Sequence, residues 1–167
     1  MKTTLNEIQK HNPQKDLWET LLRHLNKASA DDEPLPLLTV LESNGTLDAL
    51  WCVQHLCDKY QKMRLTVLFA REVQELMSRF GAVSLDVCES YASGLVTEHE
   101  LEAAHTLLAR RDLSCTDRVA YAATQGEPGK VAPLVLEAIF IFRGPTARAN
   151  THKKMLEILK QFLKDNP

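Results

Sequence analysis

The sequence predicts an all-α fold, a single-domain bundle of about nine helices whose pairs stack in a solenoid-like way. Helix start signals, in which Ser, Thr or Asp precedes an apolar periodic run, recur along the chain. Glycine or proline follows most of these runs, where helices commonly end. One stretch is rich in β-branched residues, but no partner strand is visible for it. These three observations favour helices throughout.

Length and composition fit one soluble domain spanning 1–167. The chain has 44% apolar and 25% charged residues and a net charge of −2, which predicts no general attraction to nucleic acid or membrane. The N-terminal MKTTLNEIQK lacks the apolar core of a signal peptide, so we expect a cytoplasmic protein. Four scattered cysteines predict reduced thiols rather than a disulfide framework: Cys52, Cys57, Cys88 and Cys115.

The first predicted helix covers about 16–28. Asp16 and Glu19 have the spacing of a capping box, in which each side chain binds the other residue's backbone N–H. The acidic segment ADDEPLP, 30–36, is predicted to be a linker, and its first proline can occupy the first turn of the helix that follows.

Two longer helices are predicted in the middle of the chain. Gly45 ends the helix after the linker, and Thr46 can cap the next one, 47–60. A strongly periodic helix then runs over about 63–80 until Gly81. Its apolar stripe is expected to face the core: Leu65, Phe69, Val73, Leu76, Met77 and Phe80.

Capping residues define the next three helices. Ser84 starts a short helix, and Thr97 with Glu100 forms a second capping box. Ser114 or Thr116 then caps DRVAYAAT. Each start signal is local, so the helices are predicted without reference to their neighbours.

The segment GEPGK, 126–130, is predicted to break the chain, because two glycines and a proline disfavour helix. The apolar segment 131–142 follows, and we expect a buried helix, with a strand as the alternative. Glu137 lies within it and must either reach the surface or form an ion pair, because burial of an unpaired carboxylate is very costly. Arg118 or Arg143 could supply that ion pair.

RGP at 143–145 is predicted to turn the chain into a last helix, 146–164. One side of that helix is an apolar stripe of Met155, Ile158, Leu159, Phe162 and Leu163. The other side is basic, which leaves open a nucleic-acid-associated role. The residues that would carry that role are Arg143, Arg148, Lys153, Lys154, Lys160 and Lys164.

The stretch SNGTLDALWCVQHLC, 43–57, combines residue types that bind zinc. On a helical wheel, however, Cys52, His55 and Cys57 diverge and cannot converge on one ion. We therefore expect no metal site. The wheel places both cysteines on a buried arc with Leu47, Leu50, Val53 and Leu56.

An enzyme of unrecognised class is a further alternative. It would require a cysteine such as Cys88 or Cys115 to meet His99 or His105 in space, in a pocket where several of His55, His99 and His105 converge. His105 lies on an apolar helix face, where a packed, singly hydrogen-bonded histidine is the commoner outcome. Glycine-rich phosphate loops, nucleophile elbows and HExxH are absent from the sequence. We therefore predict no catalytic residues and no cofactor.

Trp51 is the leading candidate for partner binding, because the wheel places it among polar residues and Trp is enriched at binding hot spots. The alternative is that Trp51 lies under the 16–28 helix or the acidic linker. The candidate partner-binding residues are Asp48, Trp51, His55 and Asp58, with Asp31, Asp32 and Glu33 of the linker.

Two runs carry a resemblance to known proteins. The first, 16–53, is DLWETLLRHLNKASADDEPLPLLTVLESNGTLDALWCV, and it resembles small helical proteins encoded in enterobacterial prophages. The second consists of RLTVLFAREVQELM at 64–77 and LDVCESYASGLVTEHELEAA at 85–104, and it is similar to bacterial immunity proteins. The chain departs from that pattern at LSCTDRVAYAATQGEPGK, where such proteins continue in alanine-rich helix.

The resemblance implies an all-α fold and a non-enzymatic role. The expected function is to bind and neutralise a protein partner, as a toxin-immunity protein or an anti-defence inhibitor such as an anti-CRISPR does. A homodimer or another self-assembling role is also possible, for which an exposed apolar stripe on the terminal helices would be the sign.

Overall fold

The computed structural model describes residues 1–165. Within that range the chain forms nine α-helices, one short 3₁₀ helix and one two-stranded antiparallel sheet, so the all-α prediction is confirmed. The helices are α1 (Leu5–Lys10), α2 (Lys15–Leu25), α3 (Leu37–Asn44), α4 (Thr46–Leu56), α5 (Lys59–Ala70), α6 (Arg79–Ala92), α7 (Glu98–Ala109), α8 (Cys115–Ala123) and α9 (Pro128–Asp165). The 3₁₀ helix is Arg71–Leu76, and the strands are β1 (Lys2–Thr3) and β2 (Leu35–Pro36).

The described residues divide into two compact units, one of 1–57 with 159–165 and the other of Asp58–Ile158. In the first, α3 packs against α2 and α4. In the second, α6 packs against α5, α7 and α8. Cooperative folding of the whole chain as one domain stays a prediction.

The helix predicted at 16–28 is α2, but its predicted capping box is wrong. Gln14 is the N-cap and makes no side-chain cap hydrogen bond. Asp16 already lies inside the first turn, where a carboxylate favours the positive end of the helix dipole. The helix ends at Leu25, and its C-cap, Asn26, has a left-handed φ of 54°.

The acidic linker is more ordered than the sequence indicates. Its Leu35 is buried and pairs with Thr3 of β1. Because Leu35 and Pro36 belong to β2, α3 begins only at Leu37, and the prediction that the first proline, Pro34, occupies its first turn is wrong.

The predicted helix 47–60 is also too long. Gly45 rather than Thr46 is the N-cap of α4, and Leu56 is its last residue. Asp58 then caps α5 and forms a capping box with Gln61. The carboxylate of Asp58 therefore starts a new helix.

The predicted continuous helix 63–80 is wrong, because α5 ends at Ala70 and α6 starts after Ser78. Ser78 accepts a hydrogen bond from Gly81 N and donates its own N–H to the Asp117 carboxylate. Gly81 thus lies inside α6 and does not end a helix. Ser84, predicted as a helix start, is buried within α6.

The local caps that follow are confirmed. Thr97 and Glu100 form the predicted capping box of α7. Ser114, one of the two predicted candidates, accepts from Asp117 N at the start of α8. Both signals need only four neighbouring residues.

The segment 131–142 is helical, as predicted, within α9. Gly144 interrupts α9 with φ 80° and ψ −177°, and this is the predicted turn at RGP. Glu137 reaches the surface, which is one of the two expected outcomes, and Arg143, a candidate partner for it, binds Glu75 instead.

Candidate protein-binding surfaces

Trp51 lies on the outer side of α4 and is half-buried. Its ring centroid is 4.5 Å from that of His55, which in turn lies 5.4 Å from the ring of His11 at the end of α1. Asp48, one turn earlier, accepts a hydrogen bond from the Asn44 amide at 2.9 Å. Trp51 is thus part of an aromatic cluster that is partly open to solvent.

Cys52 and Cys57 are buried, as the predicted arc of α4 requires, but the first turn of α4 does not follow that arc. Both cysteines are buried, and burial raises the pKa of Cys52 to about 12. Leu47, expected on the same arc, is 83% exposed. The cysteines act as packing residues.

The acidic candidates have structural roles of their own. Lys27 donates hydrogen bonds to the carboxylates of Asp31 and Glu33, so two of the three linker charges are compensated. Asp32 is exposed. Asp58 caps α5 and belongs to the other compact unit. Partner binding by these residues stays a prediction.

The largest run of exposed apolar side chains lies elsewhere, in α9. Phe140, Ile141 and Phe142 are 50%, 57% and 53% exposed. Successive helical residues point about 100° apart, so three in a row cannot share one buried face. We call these three residues the apolar bend, because Gly144 turns the chain immediately after them.

Sequence reasoning missed this surface by treating 131–142 as one buried segment. The first part is indeed buried, including Val131, Val135 and Ile139. RGP marks the turn that follows these residues, but it does not show which of them packing leaves exposed.

Cationic and apolar groups border the apolar bend. The guanidinium of Arg148 lies 5.9 Å from the centre of the Phe140 ring. Leu136 and Arg148, from opposite sides of Gly144, line a groove of about 360 Å³ together with Pro145 and His152. The segments of α9 before and after Gly144 therefore form one surface, on which an arginine lies beside an aromatic ring.

The predicted basic face is divided by ion pairs. Arg143 binds Glu75, and Lys154 Nζ lies 2.8 Å from Glu72 Oε1. Lys160 is half-buried. Lys160 and Lys164 fall in a different compact unit from the other four cations, and Arg148 and Lys153 are exposed.

The two histidines considered for an enzyme, His105 and His99, lie in different environments. His105 Nδ1 lies 2.8 Å from Thr124 Oγ1, and its ring stacks on Tyr121, so the predicted packed histidine is confirmed. His99 lines an open groove with Glu102 and Arg110.

Burial raises the pKa of Cys88 to about 12, which leaves very little thiolate at neutral pH. Across residues 1–165, no group of three or more His, Cys, Asp or Glu side chains is arranged to hold a metal ion.

None of the helices in the described part of the chain combines the length and apolar composition needed to cross a bilayer. Comparison of the chain with protein-family models, with curated proteins and with solved structures finds no significant match.

Proposed function

We propose that the chain is a non-enzymatic prophage- or phage-type protein that binds and neutralises a protein partner. The partner would be a toxin, for an immunity protein, or a host defence factor, for an inhibitor such as an anti-CRISPR. The observation that supports this proposal is the apolar bend, Phe140–Ile141–Phe142, half exposed at the surface.

Covering the apolar bend would be favourable. Burial of apolar surface contributes about 25 cal/mol per Å², so each of the two phenylalanines could contribute on the order of 1 kcal/mol when a partner covers its exposed half. Large aromatic side chains next to arginine are typical of binding hot spots. Phe140 with Arg148 has that combination.

The charges around the apolar bend indicate the chemistry of the partner. Arg148 is an exposed cation on the helix that follows Gly144, and its guanidinium lies beside the Phe140 ring. An apolar partner surface bordered by acidic groups would be complementary to it, and complementary charge raises the association rate and selects the partner.

The cluster around Trp51 is a second candidate contact in the other compact unit. Trp51 and His55 are in ring contact at an interplanar angle of 42° and are accessible, and an aromatic cluster of this kind loses little conformational entropy on binding. Its contribution can be measured separately from that of the apolar bend.

Affinity capture from a bacterial lysate tests the proposal. The immobilised chain is compared with the double variant Phe140→Ser/Phe142→Ser and with Leu95→Ser, an exposed apolar control in the same unit. We expect one stoichiometric protein on the wild type and the control, and its loss from the double variant. Failure to retain any protein, or equal retention by all three, contradicts the proposal.

A further inference from the structure

A different surface, on α7, has features that point to pairing of the protein with itself. The buried side of α7 carries Leu101, Ala104 and Leu108. The opposite side, which we call the outer face of α7, consists of Glu102, Ala103, Thr106, Leu107 and Arg110. It lines an open groove of about 620 Å³, and Leu107 is 40% exposed there.

Charge is separated along the outer face of α7. Glu102 lies towards the N-terminal end and Arg110 follows the last turn, eight positions later. That spacing corresponds to about 12 Å along a helix, too far for a direct ion pair. Glu102 has no Lys or Arg three or four positions away, and Arg110 has no Asp or Glu, so neither charge is compensated by its own helix.

We propose that the outer face of α7 pairs with the same face of a second copy, with the two helices antiparallel. A two-fold axis at Thr106 places Glu102 of each copy at the level of Arg110 of the other. Two ion pairs then form from charges that cannot meet within one copy. Such an interface is isologous, because the same residues serve on both sides.

The middle of the outer face supports this arrangement. Ala103 and Thr106 are small enough to let two helices approach closely, and Leu107 supplies apolar contact. Antiparallel packing also brings the positive end of each helix dipole towards the negative end of the other.

Neighbouring side chains extend the apolar area. Arg111, in the turn after α7, lies over the Phe80 ring with 3.6 Å between its guanidinium carbon and the ring centre. Phe80 and Val83 of α6 are both substantially exposed. A single helix pair with this border is small beside the roughly 1,200–2,000 Å² of a stable interface, so we expect a micromolar dimer.

Sedimentation velocity on the full chain tests the pairing, at concentrations from about 5 to about 500 µM, which bracket a micromolar Kd. The wild-type mass is expected to rise from 18.9 kDa towards twice that value. Glu102→Arg and Arg110→Glu should each remain monomeric, because each places like charges opposite one another. An equimolar mixture of the two variants should dimerise again, because each of the two contacts between the helices then joins one basic and one acidic side chain, one of them in the original sense and one reversed.

Glu42→Arg, a charge reversal at an exposed position of α3, is the control and should dimerise like the wild type. A wild type that stays at 18.9 kDa throughout overturns the inference, and so does a mixture that remains monomeric. Dimerisation unaffected by both reversals would place the interface on another face and also overturn it. These outcomes are independent of capture through the apolar bend.

Discussion

At the scale of single residues, Gly81 and Asp117 show how a distant side chain determines where a helix begins. Asp117 accepts a hydrogen bond from Ser78 N at 2.9 Å, and its carboxylate occupies the space next to Gly81. A Cβ at Gly81 would overlap Asp117 Oδ1. The backbone of Gly81 has ordinary helical angles, so glycine is required there by this close approach and not by its conformational freedom.

Gly81→Ala is therefore expected to lower the free energy of unfolding by about 1–3 kcal/mol, the cost of forcing an extra group into a packed site. Gly129→Ala is the control, because a Cβ at Gly129 meets nothing within 4 Å. It should leave stability unchanged or raise it by up to about 1 kcal/mol. Urea denaturation of the three proteins measures both effects, and an unaltered midpoint for Gly81→Ala would be inconsistent with the overlap.

Trp51→Ala tests the aromatic cluster on α4. Because Trp51 is half-buried and its ring contacts that of His55, its removal should weaken partner binding while circular dichroism shows nearly unchanged helical content. Trp18→Ala, at the other half-buried tryptophan, is the matched control for loss of an indole. A large loss of thermal stability with Trp51→Ala would show instead that Trp51 acts as a core residue.

At the scale of elements, the signals that could be read from the sequence are those contained within one turn. Thr97 and Glu100 predicted the start of α7 correctly, and Ser114 was one of two candidates for the cap of α8. The start of α6 combines a local cap by Ser78, which the periodic pattern obscured, with a hydrogen bond from Ser78 N to Asp117, 39 positions further on, which the local sequence cannot predict. Periodicity alone continued the helix through residues that the structure places in a 3₁₀ turn.

The bend in α9 is an element-scale feature that depends on one glycine. At φ 80° and ψ −177°, Gly144 occupies a region that is essentially restricted to glycine, and a Cβ there would meet nothing within 4 Å. Gly144→Ala should therefore destabilise the protein by about 1–3 kcal/mol through backbone strain alone. Thermal denaturation of Gly144→Ala and of the control Gly129→Ala checks this prediction. Equal melting temperatures of the two variants would argue against a strained bend.

At the scale of the whole molecule, the all-α class followed from the repetition of caps, periodic runs and glycines, which is a property of the entire sequence. The location of the candidate site did not follow. Phe140, Ile141 and Phe142 have the composition of a core segment, and only packing decides that Val135 is covered and Phe142 is not. Exposure of an apolar residue depends on where the chain turns relative to its neighbours.

The distribution of charge over the molecule also bears on its partners. The net charge of −2 hides cations on α9, two of which, Arg143 and Lys154, are held in ion pairs with the 3₁₀ helix. These ion pairs lower the attraction of the protein for a polyanion, and they leave Arg148 and Lys153 exposed. This pattern favours a partner with limited acidic surface over a nucleic acid backbone.

The most direct test of the central claim is isothermal titration of the captured partner into the wild type, Phe142→Ala and Leu95→Ala. We predict that Phe142→Ala weakens the affinity by about 10- to 100-fold, as expected for a hot-spot aromatic residue, while Leu95→Ala matches the wild type. Equal affinity of all three proteins would contradict binding through the apolar bend.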